Sequence, residues 1–207
     1  MNTKQTTLVT GAYGAIGKAI ARQIAEKGYR TVLLGRDELK LKKATDEIIS
    51  VTGNRDVFFK PVDLSRKSSI IELSEKWKWP LNILINNAAS APQKRIETQE
   101  GIEVQFATNV LGYFWMIEYL SGLMKNAEGA KIVNVASYWA GGLDINDLGF
   151  GGHETPAEGA DTPVWVAPDP SLKNISGRYF ENRKEVSCPF SKDRNAIEQL
   201  FSICEKY

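Results

Sequence analysis

Cysteine and histidine are scarce in this sequence, and their scarcity excludes two classes of protein. The 207 residues contain two cysteines and one histidine. Cys188 and Cys204 are too few for a disulfide scaffold, and free thiols are typical of a reducing compartment, so we expect a cytoplasmic protein. His153 has no second histidine or paired cysteine at ligand spacing, so we expect no metal site.

Charge of one sign and long apolar runs are lacking as well. Lys and Arg number 26 against 25 for Asp and Glu, so we expect neither nucleic acid nor an anionic membrane as a partner. No apolar run approaches the roughly 20 residues of a membrane span, and residues 1–7 lack the apolar core of a secretory signal. The chain is 43% hydrophobic and 25% charged, the balance of an ordinary globular protein, and residues 1–207 fit a single domain.

The first two-thirds of the chain contain a regular alternation of short β-rich runs and helical patterns. Ile16, Ile20 and Ile24, for example, recur at helical spacing between the first two runs. Such alternation predicts a three-layer α/β Rossmann fold, in which helices cover both faces of a doubly wound parallel sheet. The predicted strands are Thr6 to Thr10, Thr31 to Leu34, Val57 to Lys60, Ile83 to Ile85 and Lys131 to Val135.

Capping residues and helix breakers mark the remaining helices of this part. Asp37 and Ser65 stand where N-caps are expected, and Pro80 is expected to stop the helix that Ser65 starts. A long amphipathic pattern from Glu100 to Asn126 predicts the fourth helix.

The pattern changes after the fifth predicted strand. The segment from Ser137 to His153 contains five glycines and shows no helical or strand period. Order is expected to resume at Thr155, because Thr155-Pro156-Ala157-Glu158 is a capping box with proline at the first helical position. A last strand from Arg178 to Phe180 and a helix from about Asp193 are predicted to close the chain.

A glycine pattern joins the first predicted strand to the first helix. Gly11 would permit a tight turn, Gly14 would let backbone N–H groups approach a pyrophosphate, and Gly17 would let the helix pack closely on the sheet. A turn without a ligand is the alternative, but three glycines at this spacing, at the first strand-to-helix turn, favour a nucleotide. The residues expected to line its site are Gly11, Tyr13, Gly14, Ala15, Ile16 and Gly17.

The type of nucleotide is indicated at the end of the second strand, which reads Leu33-Leu34-Gly35-Arg36. An acidic residue there would bind the ribose 2′-OH of NAD. The guanidinium of Arg36 can instead pair bidentately with a 2′-phosphate, which predicts NADP rather than NAD. Asp37 is adjacent, and we expect it to cap the next helix.

Together with four later motifs, these features resemble the short-chain dehydrogenase/reductase family, in the branch that includes retinol-type dehydrogenases. The later motifs are Asp63-Leu64 after the third strand, Asn86-Asn87-Ala88-Ala89 after the fourth, Asn109 on the long helix and Ser137 after the fifth strand. The loop departs mildly from the commoner family pattern, because Ala15 stands where that pattern has a glycine.

The resemblance implies a role for each of these motifs. Asp63 and Leu64 would flank the adenine. The segment Asn87, Ala88 and Ala89 would steady the cofactor and the sheet. Ser137 would orient a substrate carbonyl, and Asn109 would hold a water molecule of the proton relay.

One departure from the family is severe. Members carry a catalytic Tyr four residues before a Lys, a spacing that places both on one face of a helix. No Tyr in this sequence has Lys four residues on. Tyr179 has Arg183 at that spacing, but in a strand the pair would lie roughly 13 Å apart, so we do not expect Tyr179 to substitute.

Two hypotheses account for the missing pair. In the first, the sequence omits a segment of the full protein, somewhere between residues 138 and 154; in the second, the protein itself has lost that segment. We favour omission, because losing a helix and a strand would expose apolar faces on their neighbours. If the loss is genuine, the helix from Thr155 could act as the crossover that brings the last strand beside the fifth.

The resemblance implies an NADP-dependent oxidoreductase that interconverts a carbonyl and an alcohol of a small-molecule substrate by hydride transfer. The alternative is a catalytically inactive nucleotide-binding or scaffold protein that retains the adenine half of the site. Family members often associate through their long helices, so a homo-oligomer is a further expectation. Three aromatic residues of the fourth helix would then face a partner or the core: Phe114, Trp115 and Tyr119.

Overall fold

Five parallel strands form the central sheet of the protein. The computed structural model describes residues 4–125, 127–136 and 155–207. The strands are β1 (Thr6–Thr10), β2 (Arg30–Gly35), β3 (Val57–Pro61), β4 (Ile83–Asn86) and β5 (Lys131–Asn134). Each lies within one residue of its predicted bounds.

Helices cover both faces of the sheet. They are α1 (Ala15–Glu26), α2 (Glu38–Thr52), α3 (Lys67–Glu75), α4 (Val104–Phe106), α5 (Gly112–Met124), α6 (Pro156–Val166) and α7 (Arg194–Cys204). Residues of α1, α2 and α6 form one apolar core with alternate residues of the strands, such as Val9 and Leu33. Residues of α3 and α5 form the other core with Leu8 and Val32. The predicted three-layer Rossmann architecture is confirmed.

The strand order is β3-β2-β1-β4-β5, so the chain reverses its direction of travel across the sheet between β3 and β4. In open α/β sheets, ligands bind at the carboxyl ends of the strands where the order reverses. Here that point lies between β1 and β4, which pair through Thr7 to Val9 and Ile83 to Ile85.

Two local predictions were wrong around α3. The N-cap is Arg66, which makes no side-chain capping bond, whereas the predicted cap Ser65 donates from its hydroxyl to Asp63 at 2.7 Å. The helix ends at Glu75, and Lys76 is its C-cap, so Pro80 does not stop it. The long fourth helix begins at Val104 as α4 and passes through a π-helical turn, Ala107–Leu111, before it continues as α5.

The capping box at the start of α6 is confirmed, because the Thr155 side chain accepts from the Glu158 N–H and the Glu158 carboxylate accepts from the Thr155 N–H. α6 packs against α1. The predicted helix from Asp193 is also confirmed, since Asp193 caps α7. Short 3-10 turns lie at Pro170–Leu172 and Pro189–Lys192.

The last predicted strand pairs outside the central sheet, and not beside the fifth strand as a genuine loss of the segment would have allowed. That strand, β6 (Tyr179–Glu181), pairs antiparallel with β7 (Lys184–Val186) in a separate hairpin. Asn182 and Arg183 form its two-residue turn, both with positive φ, which matches the twist of antiparallel strands. Among the described residues, β6 therefore pairs within this hairpin and not with the central sheet.

Several predictions lie outside the described residues: those for Ser137, His153 and the glycine-rich segment between them. Within the described parts of the chain, every helix is too short or too polar to cross a membrane.

Candidate nucleotide-binding site

A cavity of about 330 Å³ opens at the carboxyl ends of the strands, at the point where the strand order reverses. Its volume is near the lower end of the range for ligand sites. It is lined by Gly11, Tyr13, Gly14, Ala15, Ile16, Gly17, Gly35, Arg36, Val62, Asp63, Leu64, Asn87, Ala88, Ala89 and Thr108. The structure therefore brings together all twelve residues expected to bind the cofactor.

The two outer glycines of the loop have no room for a side chain. Gly11 has φ +64, and a Cβ there would lie 2.8 Å from the Cα of Ala88. A Cβ at Gly17 would lie 2.3 Å from the carbonyl oxygen of Gly11 and 2.6 Å from Nδ2 of Asn87. Because these two positions lack side chains, the loop lies close against Asn87 and Ala88 at the end of β4.

The middle glycine begins α1. Gly14 is the N-cap, has an extended backbone, and provides no side chain to accept from the first N–H groups of the helix. Its own N–H donates to the Gly11 carbonyl at 3.0 Å, which closes the turn. The first-turn N–H groups of a helix without a side-chain cap suit an anion, and the helix dipole favours negative charge there. Gly14, Ala15 and Ile16 all line the cavity beside these groups.

Thr10 was not predicted as a site residue, but it holds the segment that follows β4 in position. Its hydroxyl oxygen accepts from the backbone N–H groups of Asn87 at 2.8 Å and Ala88 at 2.9 Å. The Asn87 amide donates back to the Thr10 carbonyl at 3.0 Å. Nothing in the sequence signals this role, because Thr10 lies 77 residues from Asn87 along the chain.

The predicted adenine pair also lies in the cavity wall. One oxygen of Asp63, Oδ1, accepts from the N–H of Ser65 at 3.0 Å and from its hydroxyl at 2.7 Å. The other, Oδ2, has no hydrogen-bond partner among the residues described here. A Cβ at Gly112 would lie 2.8 Å from the Leu64 carbonyl. Because Gly112 has no side chain, α5 packs closely against the Asp63-Leu64 segment.

At the end of β2, Arg36 is exposed and lines the cavity, and it makes no ion pair with any described residue. Asp37 points elsewhere: its carboxylate caps α2 by accepting from the Lys40 N–H at 3.0 Å, as predicted, and pairs with the Lys40 ammonium at 3.3 Å. Both interactions lower the pKa of Asp37 below its usual value, and the hydrogen bond from the Lys40 backbone N–H has the larger effect. Within the described part of the chain, the Arg36 guanidinium is thus available to a ligand, while the Asp37 carboxylate already has hydrogen-bond partners.

The two predicted catalytic residues have different outcomes. Ser137 lies outside the described residues. Asn109 lies in the π-helical turn, and its side chain both accepts from the Ser90 N–H at 2.7 Å and donates to the Ser90 carbonyl at 3.0 Å. Its side chain therefore anchors the segment that follows β4, and its part in a proton relay stays a prediction. Such π-turns occur frequently at functional sites.

Neither of two other tyrosines forms the missing acid/base pair. The Tyr113 hydroxyl donates to the Val135 carbonyl at 3.4 Å, and burial raises the pKa of Tyr113 well above its ordinary value, so it is a poor proton donor. Tyr179 donates to Glu181 at 2.9 Å. Arg183 pairs with Asp161, at 2.7 Å from its Nε, and not with Tyr179.

Known proteins with similar sequences and structures cover the N-terminal two-thirds best. A family model for short chain dehydrogenase matches residues 5–143. Dehydrogenase/reductase SDR family member 12 from Bos taurus is 36% identical over 143 residues, which are 68% of this chain and 44% of that protein. A crystal structure of a metagenomic short-chain oxidoreductase in complex with NADP has 26% identity and a TM-score of 0.57, over 65% of this chain and 63% of that chain.

Another relative aligns with nearly the whole chain. Retinol dehydrogenase 14 from Homo sapiens is 23% identical over 286 residues, which take in 97% of this chain and 85% of that protein. This alignment is longer than the chain of 207 residues, so this chain lacks a long stretch that the relative contains. Across the first curated relatives, the chain spans a little under half of their length. From the family model, the sheet and the glycine loop, we conclude that the chain belongs to the short chain dehydrogenase family and is similar to its retinol dehydrogenases.

Proposed function

We propose that the protein is an NADP-dependent oxidoreductase that interconverts a carbonyl and an alcohol of a small molecule by hydride transfer. The observation that carries the proposal is the cavity at the strand ends, which is lined by the glycine loop, by Asp63 and by Arg36, a cation with no ion pair among the described residues. A neighbour of known structure is described in complex with NADP, which supports the same cofactor here.

The residues present fit such a cofactor. Gly14 begins α1 without a side-chain cap and lines the cavity, so the first-turn N–H groups beside it suit the close approach of a pyrophosphate. Arg36 would pair with the 2′-phosphate, and the unpartnered oxygen of Asp63 would accept from the adenine amino group. When bound, the nicotinamide supplies the hydride chemistry.

The chain's own contribution to the reaction would be orientation and proton transfer. Ser137 would orient the carbonyl, and Asn109 would hold a water molecule near it. The group that exchanges the proton with the substrate oxygen would come from a Tyr/Lys pair that these 207 residues do not contain.

The lack of a Tyr/Lys pair favours a second candidate function, that of a nucleotide-binding protein that catalyses no reaction. The favouring observation is the absence from the sequence of any Tyr with Lys four residues on, together with the long stretch missing relative to retinol dehydrogenase 14. Such a protein would keep the adenine half of the site and act as a sensor or scaffold.

Two measurements on the protein isolated from its source separate the candidates, and the first candidate expects an intact mass above the 23.0 kDa of these residues. We expect NADPH to bind in calorimetry, and its oxidation to be detectable with some member of a carbonyl panel. Binding without turnover on any member would replace the first candidate with the second. Absence of binding would exclude both.

Three further expectations remain proposals: that residues 1–207 form a single domain, that the protein works in the cytoplasm, and that it forms a homo-oligomer. Trp115 is buried in the core beneath α5 and is not available to a partner. Phe114 is half-buried and packs edge-on against Phe201 of α7, with ring centroids 5.5 Å apart. Sedimentation of the purified chain would test the oligomeric state.

A further inference from the structure

Ser65 is a buried serine close to the nucleotide cavity, and it does not cap the helix that follows it. Its hydroxyl and its backbone N–H both donate to one oxygen, Oδ1 of Asp63, at 2.7 and 3.0 Å. Asp63 lines the cavity, and Ser65 is not among the residues that line it. Ser65 can therefore influence a bound nucleotide only through Asp63.

The backbone of Asp63 is held as well as its side chain. Its N–H donates to the Ser69 hydroxyl oxygen at 3.0 Å, and its carbonyl accepts from the Arg66 N–H at 3.2 Å. The residues on either side, Val62 and Leu64, are buried in the core that α3 and α5 form with the sheet. Turning Asp63 would therefore break several hydrogen bonds and disturb the core.

One hydrogen-bonding atom of Asp63 is left over. Within the described part of the chain, Oδ2 has neither a hydrogen-bond donor nor a cation beside it, whereas Oδ1 has two donors. An ionised carboxylate oxygen can only accept, so its partner must be a donor. The amino group of adenine, which the proposed function assigns to Asp63, is such a donor. Hypoxanthine carries an oxygen in place of that amino group, and two acceptors repel each other.

We propose that Ser65 is a positioning residue of the nucleotide site. By holding Oδ1 with two donors, it keeps Oδ2 turned towards the amino group of adenine, so that the chain selects an adenine nucleotide over the hypoxanthine analogue. An acceptor that is fixed before the ligand arrives loses less freedom on binding than one that the ligand must order. The inference rests on the proposed function, since it concerns the same site.

The test measures the affinities of the full chain for NADPH and for its hypoxanthine analogue by calorimetry. In the wild type we expect NADPH to bind about tenfold more tightly, which is the low end for a hydrogen bond to a charged group. Ser65→Ala removes only the hydroxyl, because the backbone N–H still donates to Oδ1, and it should lower this affinity ratio about threefold. Ser65→Thr keeps the hydroxyl and should restore the ratio.

Two further variants show whether the effect is specific. Ser68→Ala is the matched control, because Ser68 is exposed in the first turn of α3 and is not among the residues that line the cavity. It should keep the wild-type ratio. Asp63→Ala should abolish the preference for NADPH, and adding Ser65→Ala to it should change the ratio no further. A serine that only supported the fold would lower both affinities together and leave the ratio unchanged.

The inference would be overturned by a wild-type chain that binds both nucleotides equally, by an unchanged ratio in Ser65→Ala, or by an equal fall in Ser68→Ala. A further fall when Ser65→Ala is added to Asp63→Ala would overturn it as well. Each of these results leaves the proposed function standing, because NADPH still binds. Absence of NADPH binding to the wild type would instead overturn the proposed function.

Discussion

Gly17 and Gly122 are both helical glycines, but their surroundings differ. A Cβ at Gly17 would meet the Gly11 carbonyl and the Asn87 amide at 2.3 and 2.6 Å, whereas a Cβ at Gly122 would meet nothing within 4 Å. We expect Gly17→Ala to destabilise the fold by about 1–3 kcal/mol, as forced overpacking does. Gly122→Ala should stabilise it by about 0.5–1 kcal/mol, because alanine is the better helix former. Urea unfolding of both variants measures the difference.

The same pair tests the site. Gly17→Ala displaces the loop or Asn87, so NADPH binding should weaken, while Gly122→Ala should leave it unchanged. If Gly17→Ala were as stable and bound as tightly as the wild type, the close packing between the loop and β4 would not be a feature of the molecule in solution.

Thr10 gives a second prediction at the residue scale. Its hydroxyl accepts from two backbone N–H groups, those of Asn87 and Ala88. Thr10→Val keeps the shape and removes the acceptor, so we expect a loss of about 2 kcal/mol from buried donors left without a partner. Thr10→Ser retains the acceptor and should lose clearly less. A loss in Thr10→Ser as large as that in Thr10→Val, measured by urea unfolding, would show that the hydroxyl contributes no more than the methyl group and would contradict this role.

The sequence allowed some site residues to be predicted and concealed others. Gly11, Gly14 and Gly17 were predictable because the turn they form is local, and Arg36 because it directly follows a strand. The role of Thr10 and the contact of Tyr13 with Gly35 depend on strands that meet only after folding. A sequence pattern contains no distance between such positions, so these contacts could not be predicted.

For helices and strands, too, local features could be predicted from the sequence and pairings between separate segments could not. The capping box of α6 lies within four residues, and its prediction was correct. The partner of β6 was not predicted, since a crossover to β5 is only a possibility for a chain that has genuinely lost a segment, whereas the two-residue turn at Asn182 and Arg183 pairs β6 with β7. The asparagine of that turn was the available signal, since asparagine tolerates positive φ better than most residues.

Lys131 links α6 to the central sheet, so its substitution is predicted to affect this helix more than the rest of the fold. From the first residue of β5, its ammonium donates to the Val166 carbonyl at 3.0 Å and to the Asp169 carbonyl, both at the end of α6. A cation there also suits the negative end of the helix dipole. Lys131→Met should cost about 1–2 kcal/mol and loosen α6 in particular. Hydrogen exchange of α6 amides measures this.

Lys184→Met is the control for that experiment, because Lys184 is exposed on β7 and makes no ion pair with a described residue. It should change neither the overall stability nor exchange in α6. Faster exchange spread evenly over the sheet in Lys131→Met, with α6 no different from the rest, would contradict the role given to Lys131.

For the molecule as a whole, the two faces of β5 are unequally covered. On the side of α6, Val133 is buried. On the other side, Ile132 is 39% exposed although Leu84, its register partner on β4, is fully buried. Apolar surface of a central sheet normally lies under a helix. Among the described residues, this side of β5 is therefore less well covered than the same side of β4.

All the residues expected to bind the cofactor line one cavity of this chain, so nucleotide binding should stabilise the chain as it stands. A ligand at 100 times its Kd adds about 2.7 kcal/mol to the free energy of unfolding, which raises Tm by roughly 5–10 °C for a chain of this size. We expect that shift with NADPH and a smaller one with NADH at the same concentration. Arg36→Leu should bring the two shifts together by lowering the NADPH shift, because the guanidinium is the group expected to pair with the 2′-phosphate. A Tm that neither nucleotide moves would mean that the cavity between β1 and β4 does not bind a dinucleotide.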